Sequence, residues 1–129
     1  MSPEKVARLS PLALAYIGDA VFELYVRRRL LAGPECSQAG LHRQAVARVR
    51  ASAQAEALRR CRGELTAEEA DIARRGRNAR TSVPRGADVA DHHAGTAFEA
   101  LLGFLYLSGR RERLLEIMQL AYNMPEDER

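Results

Sequence analysis

The amino-acid sequence predicts a single all-α domain. Three observations carry that expectation. Val, Ile and Thr are sparse and do not alternate with polar residues, so strand signals are nearly absent. Alanine (22 residues), Leu, Arg and Glu dominate, and all of them favour helix. Apolar residues recur at helical intervals in segment after segment. A length of 129 residues, with no internal repeat and no low-complexity linker, suits one domain.

The first helix is expected over Pro11–Ala32, where Leu14, Ile17, Val21, Leu24 and Leu31 form one apolar stripe. Ser10 is its N-cap, Pro11 suits its first turn and Gly33-Pro34 ends it. A second helix starts after Ser37 and carries Leu41, Ala45 and Val49. It breaks near Ser52 and resumes as Ala53–Arg62, ended by Gly63. A third opens with a capping box, Thr66 with Glu69 three residues on, and runs into Arg74–Arg77. Residues 78–88 hold Pro84, Gly86 and small polar residues, the composition of a loop. Val89–Leu107 reads as a helix closed by Ser108-Gly109. Arg111–Tyr122 reads as an amphipathic one carrying Leu114, Leu115, Ile117, Met118 and Ala121. The acidic tail, residues 124–129, is expected to fray.

Several classes are excluded early. No run free of charge exceeds ten residues, as in Ala100–Gly109, well short of the roughly 18 a membrane helix needs. The N-terminus MSPEKVARLS lacks an apolar signal core, so a cytoplasmic protein is expected, with no membrane partner. Cys36 and Cys61 lack C-x-x-C spacing and read as free thiols; with three histidines at unrelated spacings they make a poor zinc set. No organic cofactor is expected. Net charge is +3, and 19 arginines stand against Lys5 alone, a bias that GC-rich codons produce by themselves.

Two segments carry acids in apolar surroundings. Pro11–Val26 is charged only at Asp19 and Glu23, four apart and so on one helix face. Ala94–Leu107 is charged only at Glu99. Both look apolar all round, as central helices are. An ionised carboxylate there costs several kcal/mol unless a cation or hydrogen bonds compensate. The compensating partner is either an arginine or a hard divalent ion such as Mg²⁺, which takes one or two carboxylates and keeps its waters. Gly18 and Gly103 remove bulk beside the two sites and suit close helix packing or the close approach of a ligand backbone.

Basic charge is concentrated. Arg74–Arg85 has five arginines and no acid, and His42–Arg85 nets +6. Arginine forks fit phosphate oxygens, and backbone approach at Gly76 and the side-chain amide of Asn78 suit a groove or phosphate contact, so the segment reads as a nucleic-acid contact, weighed against a merely solvated face. Aromatics are 5% with no Trp, which favours a duplex read by shape over stacked single strands. His42 is a candidate polar contact near this face, and His92-His93 read as surface or capping residues.

LALAYIGDAVFELYVRRRLL, RRGRNAR and TAFEALLGFLYL together resemble Mini-III, the small branch of the ribonuclease III family, over about residues 9–118. The resemblance implies a homodimeric, all-α ribonuclease III-like endonuclease domain without a double-stranded-RNA-binding domain. It implies Mg²⁺-dependent cleavage of double-stranded RNA leaving 5′-phosphate and 3′-hydroxyl ends, one strand cut per subunit. The implied substrate is precursor 23S ribosomal RNA, trimmed near both ends. Asp19 matches the catalytic aspartate and Glu99 the metal-binding glutamate. Ala15 and Thr96 stand where full-length ribonuclease III carries two further acidic ligands, and Glu23 is a candidate substitute ligand. Arg74, Arg75, Arg77, Asn78 and Arg80, with His42, are the expected RNA-binding set. Two other readings stand beside this one: a catalytically silent helical dimer that binds ribosomal RNA, and a helix-turn-helix DNA binder, which lacks a short polar recognition helix after a Gly turn.

Overall fold

The structure is a computed structural model and describes residues 1–122; the expectation of a frayed tail at 124–129 lies outside them. The described residues form seven α-helices: α1 (Pro3–Arg8), α2 (Pro11–Ala32), α3 (Gln38–Val49), α4 (Ala51–Cys61), α5 (Ala67–Arg77), α6 (Val89–Leu107) and α7 (Arg111–Tyr122). A single 3₁₀ turn, Arg62–Glu64, links α4 to α5.

Local chemistry sets most helix starts. Ser10 Oγ accepts from the Ala13 amide at 3.1 Å, Ser37 Oγ from Gly40 at 3.0 Å and Asp88 Oδ1 from Asp91 at 2.9 Å. The Thr66–Glu69 capping box closes in both directions, at 3.0 and 3.1 Å. The break after α3 falls at Arg50, two residues before the expected Ser52. Arg50 offers α4 no side-chain cap bond. The α1 turn, capped by Ser2, escaped the sequence reading because six residues carry too little periodicity.

Helix α6 is the hub and packs on α2, α4, α5 and α7. Its Phe98, Leu101, Leu102 and Leu105 are fully buried. Helix α2 is different, and here the expectation of an all-round buried helix is corrected. Its core ridge is Leu14, Gly18, Phe22, Val26 and Leu30, spaced by four. Leu24 and Leu31, placed in the buried stripe by sequence, are 70% and 72% exposed, and Tyr16 is 80% exposed. Two apolar faces on one helix blur its amphipathic signal, so periodicity alone could not choose between them.

Of the two readings for Gly18 and Gly103, close helix packing is the one found. A Cβ on Gly18 would stand 1.7 Å from the Glu99 carbonyl oxygen, and one on Gly103 1.8 Å from that of Leu14. Helices α2 and α6 therefore cross in backbone contact, running antiparallel, since residues 14 and 18 meet residues 103 and 99. Phe22 meets Phe98 edge-on at 5.2 Å on one side of the crossing. Gly76 does the same for α5, where a Cβ would press on Ala97 and Ala100 at 3.0 and 2.9 Å.

Candidate active site

The α2–α6 crossing sets Asp19 beside Glu99. Asp19 follows the glycine that touches the Glu99 backbone, so the two carboxyl groups come within bonding reach. Asp19 is exposed and Glu99 half-buried. The expectation of acids sunk in oily helices is thus corrected: the pair sits at the rim of the core, with Asp19 open to solvent. Burial, first, and the neighbouring Asp19 carboxylate, second, push the Glu99 carboxyl up to about 8, while the Gln54 amide pulls it down.

The acid that is buried in the core is Glu69, 2% exposed. It meets Arg113 through both carboxylate oxygens, at 2.8 and 2.9 Å, while also closing the capping box. The Arg113 guanidinium holds its carboxyl below the usual carboxylate range. This is the structural ion pair that sequence reasoning weighed for Asp19 and Glu99, found at another residue.

Glu23 also pairs with an arginine. Its Oε2 accepts from Arg27 Nη2 at 2.9 Å, one turn along α2. Among the described residues no group of three His, Cys, Asp or Glu side chains is placed to hold a metal. Ala15 and Thr96 are both buried, and the Thr96 hydroxyl is turned back onto the His92 carbonyl at 3.1 Å. Two hard oxygen donors, set side by side and reached from solvent, fit an ion that keeps several of its own waters.

Sequence reasoning missed Gln54. It is 3% exposed, and its Nε2 donates to Val49 O at 2.7 Å and to Glu99 Oε2 at 3.2 Å. A glutamine in an Ala-rich helix gives no sequence signal for such a contact; only the tertiary packing of α4 on α6 reveals it.

The basic segment covers the end of α5 and the loop after it. Arg74, Arg77, Asn78 and Arg80 are exposed, and Arg75 is half-buried. Arg74 pairs with Asp71 on its own helix. Arg77, Asn78, Arg80, Thr81 and His93 line an open depression of about 600 Å³ where the loop meets α6. His93, six residues before Glu99 on α6, thereby joins the basic set, which sequence alone did not assign to it. His42 is exposed on α3 and lines a different groove, with Arg27, Leu30, Leu31 and Leu41. Cys36 and Cys61 are both free thiols, and burial pushes the Cys61 thiol up to about 11. No helix of the described residues is long and apolar enough to cross a membrane.

Comparison with known proteins places this geometry. The Ribonuclease III domain family matches residues 12–110. The chain is 52% identical over 121 residues to the Mini-ribonuclease 3 of Gloeobacter violaceus, covering 94% of this chain and 88% of that one. It is 44% identical over 128 residues to the Mini-ribonuclease 3 of a Thermoanaerobacter species, covering 98% and 90%. The crystal structure of a Fusobacterium nucleatum protein superposes with a TM-score of 0.81 at 30% identity, covering 88% of this chain and 91% of that one. With the ribonuclease III domain running through the α2–α6 crossing that joins Asp19 to Glu99, the chain belongs to the ribonuclease III family, in its Mini-ribonuclease 3 branch.

Proposed function

We propose that this double-strand-specific endoribonuclease cuts at Asp19 and Glu99 with Mg²⁺, works as a homodimer, and matures the 5′ and 3′ ends of precursor 23S ribosomal RNA. The observation that carries the site is the Asp19–Glu99 pair at the glycine crossing, open to solvent on the Asp19 side. Mg²⁺ held there supplies a bound water of lowered pKa and offsets charge building on the scissile phosphate. The chain's own groups do the rest. Asp19 presents its carboxylate to solvent, where the phosphate arrives. Glu99 stays fixed against α4. Arg74, Arg75, Arg77, Asn78 and Arg80 bind the duplex backbone through phosphate contacts. His42 is a separate contact from its own groove.

The homodimer is supported by α2. Its outward face shows Leu12, Tyr16, Leu24 and Leu31 to solvent, an apolar stripe with nothing in the monomer to cover it. A second copy doubles the basic surface and offers one cutting site to each strand.

The test is digestion of a long RNA duplex by pure protein, with Mg²⁺ or with chelator, and mapping of the ends. Expected are Mg²⁺-dependent cuts with 5′-phosphate and 3′-hydroxyl ends, lost in Asp19→Asn, which still binds the duplex in chelator. The missing acids at Ala15 and Thr96 favour one rival, a catalytically silent dimer on ribosomal RNA. Binding without cutting by the wild-type chain would select it. Processing of a precursor 23S transcript at its mature ends, against an unrelated duplex of equal length, tests the substrate.

A further inference from the structure

We propose that Gln54 is a positioning residue for the metal site, holding the Glu99 carboxylate in its ligating orientation from the start of α4. The proposal rests on the reading of Asp19 and Glu99 as the metal-holding pair.

Gln54 is one of three buried polar or charged residues among the described ones, with Glu69 and Thr96. Glu69 is accounted for by its capping box and its ion pair with Arg113, and Thr96 by a bond within its own helix. Gln54 reaches across helices. Its amide nitrogen serves two acceptors on two elements: Val49 O at the end of α3, at 2.7 Å, and Glu99 Oε2 on α6, at 3.2 Å. Val49 O is one of the terminal carbonyls that a helix leaves without a partner in its own ladder. One side chain therefore ties the α3–α4 joint to the half-buried carboxylate.

The space for it is built. Gly95, one turn before Glu99 on α6, leaves a notch in which a Cβ would stand 3.3 Å from Gln54 Oε1 and 3.8 Å from Ala51 Cα. The start of α4 has no side-chain cap of its own. The Gln54–Glu99 bond and this close fit tie the start of α4 to α6. A donor locked onto one carboxylate oxygen restricts the torsions of Glu99 and sets how its charge faces Asp19. Partners of this kind behind a ligand typically change metal affinity by about 10- to 100-fold when removed. A glutamine that merely satisfies its own burial would leave metal affinity alone.

The test uses the full chain and two readouts: the Mg²⁺ concentration for half-maximal duplex cutting, and that for half of the Mg²⁺-induced rise in melting temperature without RNA. Wild type sets the reference. If it shows neither dependence, the metal reading itself is overturned and the proposal falls with it. Gln54→Met keeps the volume and removes the donor. Expected is a rise of about tenfold or more in both half-saturation values, with duplex binding in chelator unchanged. Values within twofold of wild type, in a variant that melts cooperatively, overturn the proposal. So does a loss of cutting at saturating Mg²⁺ with no shift in either value. If Gln54→Met does not fold, Gln54→Asn, which keeps a buried amide and shortens its reach to Glu99, takes the same measurements: a tenfold rise supports the proposal and values within twofold overturn it.

Discussion

The backbone carbonyl of Glu99 occupies the space that a side chain at Gly18 would need. A Cβ there would come within 1.7 Å of the oxygen. The closeness of the two helices is thus written in a missing methyl group, and the same contact that permits it puts Asp19 next to Glu99.

Gly18→Ala is therefore expected to force α2 off α6. The obstacle is backbone and cannot rotate away, so the cost should reach about 3 kcal/mol or more, the upper range for overpacking. Cutting should fall with it, because the carboxyl pair separates. Gly63 is the control: nothing lies within 4 Å of a Cβ there, and Gly63→Ala should change stability by less than about 1 kcal/mol, in the stabilising direction. Urea denaturation of both variants checks this. Equal stability for the two would refute the crossing as described.

A pH dependence follows from Glu99. Its carboxyl is raised from 4.5 to about 8 in the folded chain, by burial first and by Asp19 second. The unfolded chain loses that proton near its ordinary value. A raised folded value means that the stabilising contribution is full below about pH 4.5 and is lost as pH rises through about 8. In chelator, the melting temperature should fall across that window, by an amount on the order of a few kcal/mol in stability. Mg²⁺ should hold the high-pH end up, since it favours the ionised pair. Glu99→Gln should flatten the slope. A wild-type slope in chelator that persists unchanged in Glu99→Gln would assign it to other groups.

The starts of α2, α3, α5 and α6 were legible in the sequence, where a local cap opens a longer periodic segment; Ser2 caps α1 in the same way, but six residues carry too little periodicity to be read. Ser10, Ser37, Thr66 with Glu69, and Asp88 all start helices through contacts three residues ahead. What could not be read was the outcome of tertiary choices. Helix α2 has two apolar faces, and its partner α6 selected the Leu14–Phe22–Val26 ridge over the one with Leu24 and Leu31. For the candidate site, Asp19 (with Glu23) and Glu99 stand out in the sequence as the only charges of two apolar segments, with a glycine near Asp19 and another near Glu99, and the fold brings Asp19 and Glu99 side by side. Their burial was not legible: the sequence shows apolar neighbours, and only the fold shows that Asp19 sits on the open side. Gln54 and the Glu69–Arg113 pair, 44 residues apart in sequence, depend on contacts that no local pattern encodes.

The basic segment makes a prediction through salt. Arg77 and Arg80 line the open depression beside His93, whereas Arg74 already faces Asp71. Replacing Arg77 and Arg80 with Ala should weaken duplex binding in chelator and flatten its dependence on log salt by about 0.7–0.9 for each phosphate no longer neutralised. Arg74→Ala should flatten it less. Binding titrations at several salt concentrations measure the slopes. Slopes equal to wild type in the double variant would remove this segment from the RNA interface.

Tyr16 tests the assembly. It is 80% exposed on α2, in line with Leu12 and Leu24 and one turn before the Asp19 site. An aromatic ring held out in water on an apolar stripe is the type of residue that anchors an interface, where truncation of an anchor costs about 2 kcal/mol or more. Tyr16→Glu should therefore weaken self-association by at least about 30-fold, that same free energy expressed as a ratio. Sedimentation equilibrium across a range of protein concentrations reads this directly. The same variant, if still folded, should nick single strands of a duplex more often than it cuts both together, because two sites are no longer delivered at once. A wild-type chain that stays monomeric at the highest concentration used for cutting, yet still severs both strands together, would show that the second copy is not needed and that the α2 stripe faces something else.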